Sequence, residues 1–103
     1  MYFVGIDIAK HFHEADIIDD SDKVVLKKLR FSNSHDGYNK LMDSVRKLDG
    51  NFVFTMEAIG HYWFNLYAHL RQDNHTIHVI NPIQSDALRN MYIRKLRMMS
   101  LMI

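Results

Sequence analysis

The sequence predicts an α/β fold, a mixed five-stranded sheet of order βββαβαβα with helices packed on it, and three observations carry that prediction. Three strand-like stretches follow one another through short turns between residues 2 and 31. Two further apolar strands between residues 52 and 80 are each reached through a helical stripe, and two of the five strands carry an acid followed by a small-residue turn. Strands joined by turns pair antiparallel, whereas a strand reached through a helix lies parallel to an earlier one.

The opening stretch, Tyr2-Phe3-Val4-Gly5-Ile6-Asp7-Ile8-Ala9-Lys10, is an apolar run of strand length with one acid inside it. A carboxylate in an apolar layer costs several kcal/mol unless a cation, good donors or a metal meets it. Asp7 is therefore ion-paired, at a strand mouth, or holding a metal. From Phe12 to Asp19, Ala15 and Ile17 share one face while Glu14 and Asp16 take the other, the period of a strand. Asp19-Asp20-Ser21-Asp22 is a turn by composition, and Lys23 to Phe31 forms a third strand with a mixed pattern in its middle.

Asn33 or Ser34 can cap the next helix, with Asp36 in its first turn, where negative charge suits the helix dipole. Tyr38, Leu41, Met42, Val45 and Leu48 make one buried stripe, and Gly50 is placed to end it. The strand Phe52-Val53-Phe54-Thr55-Met56-Glu57 repeats the opening pattern, with Glu57 in the position of Asp7 and Ala58-Ile59-Gly60 as its turn. Trp63, Leu66, Tyr67 and Leu70 form a second helical stripe. Thr76 to Ile80 is a fifth strand stopped by Asn81-Pro82, and Ile83 to about Lys95 can form a third helix. This is the element order of the ribonuclease H-like fold, in which acids at the ends of the first and fourth strands lie side by side.

The totals bound the rest. At 103 residues, 48% hydrophobic and 24% charged, the chain is at most one globular domain. Its net charge of +1 names no partner, but Arg89, Arg94, Lys95 and Arg97 follow Asp86 with no further acid. That end can face phosphate, although such a run is more often a solvated helix face. Absent cysteine rules out a disulfide framework and a thiolate zinc site. The start has no basic segment and apolar core of a signal peptide, and no apolar run approaches the roughly 20 residues needed to span a bilayer. A cytoplasmic protein without a membrane partner is expected.

Paired carboxylates suit Mg²⁺, a hard ion that takes oxygen ligands and keeps waters and substrate phosphates in its shell. Two such ions roughly 4 Å apart can activate a water and stabilise the leaving oxygen in phosphodiester cleavage. Asp7 and Glu57 are the candidate catalytic and metal-binding residues, with Mn²⁺ the alternative ion. The seven histidines include no i, i+4 pair on a helix with a third ligand, so a histidine metal site is set aside. Tyr62 can stack on bases, whereas Trp63 and Tyr67 lie on the helical stripe and are read as core.

Three motifs, VGIDIAK at 4–10, MEAIGHYW at 56–63 and VINPIQ at 79–84, together resemble the N-terminal RuvC-like domain of DEDD transposases of the insertion-sequence one-hundred-and-ten group. The resemblance covers residues 1–97 and implies a Mg²⁺-dependent DNA recombinase. Asp7 would be the first D and Glu57 the E of its four acids, with a guide RNA and a homo-oligomer as partners besides DNA. Lys10, Tyr62, Arg89, Arg94, Lys95 and Arg97 are the candidate nucleic-acid contacts. The acids expected after Lys95 and a serine-bearing second domain are not found here, and Ile59 replaces a usual hydroxyl residue. Residues 98–103 form an atypical apolar tail that is expected to promote self-association. The expectation is a truncated transposase domain, inactive alone, with a non-catalytic nucleic-acid-binding or partner-binding module as the alternative. A third reading, the phosphate loop of an actin-like ATPase, lacks the Gly- and Thr-rich hairpin after Asp7.

Overall fold

The computed structural model describes residues 1–80. Over these the chain forms β1 (Tyr2–Asp7), β2 (Phe12–Asp19), β3 (Val24–Ser32), α1 (His35–Arg46), β4 (Phe52–Glu57), α2 (Phe64–Gln72) and β5 (Thr76–Ile80). The helix expected from Ile83 and the apolar tail lie outside the described residues. The strands form one sheet in the order β3-β2-β1-β4-β5. The β1–β2 and β2–β3 pairs are antiparallel, and β1–β4 and β4–β5 are parallel. The meander and the helix-linked strands thus pair as their connections demand.

Directly opposed residues in a sheet share a face. Val4 lies opposite Ile17 and Phe54, and Ile6 opposite Ala15 and Met56. All six are buried in one cluster with Tyr38, Leu41, Met42 and Val45 of α1 and Leu66 and Leu70 of α2. Both described helices therefore cover the same face. The other face carries Phe3, Gly5 and Asp7 of β1, opposite Ile18, Asp16 and Glu14 of β2. Asp7 and Glu14 are exposed there, while Phe3 is buried.

The mixed pattern of β3 has a local cause. Its register against β2 shifts on either side of Ile17, and Lys28 adopts a left-handed backbone at φ +53°. The Lys28 amide donates to Asp16 Oδ1 at 2.6 Å, so a carboxylate satisfies the group that the bulge removes from the ladder. In the preceding turn, Asp19 Oδ1 accepts from the amides of Ser21 (2.8 Å) and Lys23 (3.0 Å). This is how an aspartate closes a tight turn on its own backbone.

Ser34 caps α1, its Oγ accepting from the Gly37 amide at 3.1 Å, with Asp36 in the first turn and Arg46 in the last. Gly50 does not end the helix as expected. The helical hydrogen bonding stops at Arg46 with Lys47 as C-cap, and Gly50, at φ +145°, instead shapes the loop into β4. At the other helix, the amide of Asn74 donates to Arg71 O (3.0 Å) and that of His75 to Leu70 O (3.0 Å). With Asn74 left-handed at φ +62°, this is a Schellman stop made with asparagine in place of glycine. The Tyr38 hydroxyl donates to Asp73 Oδ2 and so ties α1 to the end of α2. Burial first, then that bond, hold the hydroxyl well above the usual tyrosine range.

Burial pushes the His13 and His75 rings below the ordinary histidine range, against the opposing pull of Asn33 and Asp7 on His13 and of Asp73 on His75. A base whose folded pKa is lowered is protonated first in the unfolded chain, so stability is full above about pH 6.5 and falls as pH drops through the lowered values. A thermal melt should give a lower Tm at pH 5 than at pH 7.5. Equal values would contradict the neutral state of the buried His13 ring and the half-buried His75 ring.

Candidate functional site

Asp7 closes β1 and Glu57 closes β4, and these strands are parallel neighbours whose last paired residues are Ile6 and Met56. The two acids come one position later on each strand, at backbones about 4.8 Å apart by the spacing of a sheet. Asp7 is exposed, whereas Glu57 is 8% exposed, so one carboxylate meets solvent and the other sits within the fold.

A cavity of about 550 Å³ opens on the sheet face away from α1 and α2, lined in part by Asp7, Glu14, Asp16, Lys27, Lys28 and Thr55. Glu57 is not among its lining residues. Strand alternation puts Glu14 on this face, but only the register reveals that it stands directly opposite Asp7. No group of three or more His, Asp or Glu residues is arranged to hold a metal ion among the described residues. Asp7 and Glu57 thus fit Mg²⁺ in donor chemistry and fall short of a full ligand set in number.

The loops that leave the two strands are ordered by backbone bonds. After Glu57, the Ala58 amide donates to Ile80 O and the Tyr62 amide to Ile59 O. The Trp63 indole N–H donates to Gly60 O at 3.1 Å. Gly60 there takes φ +53°, a conformation suited to glycine. Trp63 and Tyr67 are half-buried against the core and meet edge to face at 5.4 Å between centroids. Of the candidate nucleic-acid contacts, Lys10 is exposed and Tyr62 half-buried. The backbone carbonyls of both accept from Asn33 Nδ2, at 3.3 and 3.2 Å. Arg89, Arg94, Lys95 and Arg97 lie outside the described residues.

Residues 4–96 match the model of the DEDD transposases of the insertion-sequence one-hundred-and-ten group, a family described as Transposase. The chain belongs to this transposase family. Among solved structures, the transposase domain is similar to the fowlpox virus Holliday junction resolvase at a TM-score of 0.52 and 12% identity, over 84% of this chain and 65% of that one. At that identity the likeness shows the fold alone, which is RuvC-like and ribonuclease H-like. Two structures from Aquifex aeolicus, the type II variant of the Ppx/GppA phosphatase and a Ppx/GppA family member, are similar at TM-scores of 0.44 and 0.42 with 14% and 15% identity. Each match covers 80% of this chain, and 36% and 35% of theirs, a likeness too slight to bear on function. The transposase domain thus spans less than two thirds of the resolvase. No curated protein matches it. No described helix is long and apolar enough to cross a membrane.

Proposed function

We propose that residues 1–97 are the RuvC-like domain of a DNA transposase and that Asp7 and Glu57 are its contribution to a divalent-metal centre, with Mg²⁺ the ion and Mn²⁺ a substitute. The observation that carries this reading is the placement of two carboxylates at the ends of adjacent parallel strands. A bound ion there would activate a water or hydroxyl and stabilise the leaving oxygen of a phosphodiester. The side chains' own part is to supply hard oxygen donors, Asp7 from the solvent side and Glu57 from within the fold.

Two carboxylates give weak affinity, since ligand number and charge set it. Calorimetric titration of the chain with Mn²⁺ should therefore show weak binding that Asp7→Asn removes. Tight binding that survives Asp7→Asn would overturn the assignment. These residues hold two of the four acids the family resemblance implies, so we expect no cleavage of branched or duplex DNA by the chain alone. Cleavage lost in both Asp7→Asn and Glu57→Gln would overturn that expectation and mean that two acids suffice.

With two carboxylates as the candidate metal donors among the described residues, a second reading is that the chain holds nucleic acid without cutting it. Lys10 and Tyr62, on the two loops at the site, with Arg89, Arg94, Lys95 and Arg97, would make the contacts, and a guide RNA or a second copy in the cytoplasm would be further partners. Affinity for DNA should then fall by about one decade per decade of salt for each phosphate contacted. Binding insensitive to salt would count against it.

A further inference from the structure

Asn33 stands between the end of β3 and the cap of α1, where an asparagine ordinarily serves the helix. Here Ser34 does that work, and the Asn33 side chain is turned elsewhere. Its backbone N–H donates to His11 O at 2.8 Å, and its amide nitrogen donates to Lys10 O and to Tyr62 O. One residue therefore holds three carbonyls. Two belong to the turn that follows Asp7, and the third to the loop that follows Glu57.

The remaining oxygen has a counterpart. Among the described residues, the buried side-chain polar atoms outside hydrogen-bond geometry are Asn33 Oδ1 and His13 Nε2. His13 is fully buried on the core face of β2, edge-on to Phe31 at 5.4 Å. Its Nδ1 accepts from the Ala9 amide at 3.1 Å, so the proton of the neutral ring sits on Nε2. The donor and the acceptor each lack a partner within hydrogen-bond geometry, and the Asn33 side chain acts on the His13 ring against the effect of its burial. His13 also holds Ala9, two residues past Asp7, so the ring and the amide act on the same turn.

We propose that Asn33, backed by His13, is a positioning residue that fixes the spacing of the two loops leaving Asp7 and Glu57. The pair acts on the two loops through the backbone, at the carbonyls of Lys10 and Tyr62 and the amide of Ala9. Its consequence for metal binding rests on the metal-centre reading above, whereas the coupling of the two loops does not.

The test uses the full chain and its Asn33→Ala variant, with Asn33→Ser as the second variant should alanine prevent folding. Amide hydrogen exchange is read at Ala9 and Tyr62, and at Val4, Ile6, Phe54 and Met56 in the sheet. Loss of two side-chain bonds should speed exchange at Ala9 and Tyr62 together, by about tenfold, and leave the four sheet amides as they were. Acceleration in one loop alone, in neither, or throughout the sheet would overturn the proposal. In the second arm Mn²⁺ is titrated into the same variant and into Asp7→Asn. Weaker binding in Asn33→Ala, with the fold intact by circular dichroism, extends the positioning role to the ion, and unchanged binding confines it to the loops and overturns that extension. If Asp7→Asn itself leaves Mn²⁺ binding unchanged, the metal-centre reading fails, and the exchange result still decides the role of Asn33.

Discussion

Gly37→Ala should destabilise the transposase domain by about 3 kcal/mol, at the upper end of what overpacking a filled site costs. The sign is the opposite of the usual one. Alanine is the better helix former by about 1 kcal/mol in an ordinary helix interior. Gly37, however, lies in the first turn of α1, pressed against the end of β3. A Cβ added there would sit 1.7 Å from Ser32 O and 2.8 Å from Ser32 N. Both atoms are backbone, so no flexible side chain can yield, and the strand end or the helix must move. Moving the helix would pull the Gly37 amide from Ser34 Oγ and lose the cap as well. Against a total stability of 5–15 kcal/mol for a typical domain, chemical denaturation should show a large fall in midpoint. A midpoint at or above that of the native chain would mean that α1 does not meet β3 this closely.

Asp7→Asn should weaken Mn²⁺ binding by at least about 100-fold, because residues one shell removed from a metal already cost 10- to 100-fold when replaced. Its Tm should stay close to that of the native chain. Asp7 is exposed and lines the cavity, and exchanges of solvent-exposed side chains are usually within about 0.5 kcal/mol of neutral. Glu57→Gln should behave differently. Glu57 is buried at the end of the central strand pair, so the same exchange alters its surroundings as well as its charge, and Tm should move along with affinity. An Asp7 variant that unfolds, or a Glu57 variant that binds Mn²⁺ like the native chain, would contradict this division between the two acids.

Much of the fold was legible because its cues are local. The alternation of Ala15 and Ile17 with Glu14 and Asp16 marks β2 without tertiary information, and the three- and four-residue spacing from Tyr38 to Val45 marks the buried stripe of α1. The stop at Arg46 was not legible, since Gly50 looks like a helix terminator until the loop into β4 is seen to need it. The bulge in β3 was visible only as a break in pattern at Lys27 and Lys28, and its cause, the Asp16 carboxylate, comes from the neighbouring strand. The same holds at the site. Asp7 and Glu57 stand out because a carboxylate in an apolar strand demands a reason. Asn33 reads from sequence as a helix cap, and nothing local reveals that the carbonyls of Lys10, His11 and Tyr62 converge on it. His13 looks like one scattered histidine among seven, because its burial is set by the packing of the sheet against Phe31.

β1 is both the first strand of the chain and the middle strand of the sheet. As the polypeptide leaves the ribosome, β1 can zip onto β2, and β2 onto β3, through short turns, but the opposite edge of β1 waits for β4, which is made only after α1. Until then a row of unpaired amides and carbonyls flanked by Phe3, Val4 and Ile6 is open to any other extended chain. The nascent domain is therefore most exposed to mispairing between the synthesis of β3 and that of β4, and slower translation through the α1 segment lengthens that interval.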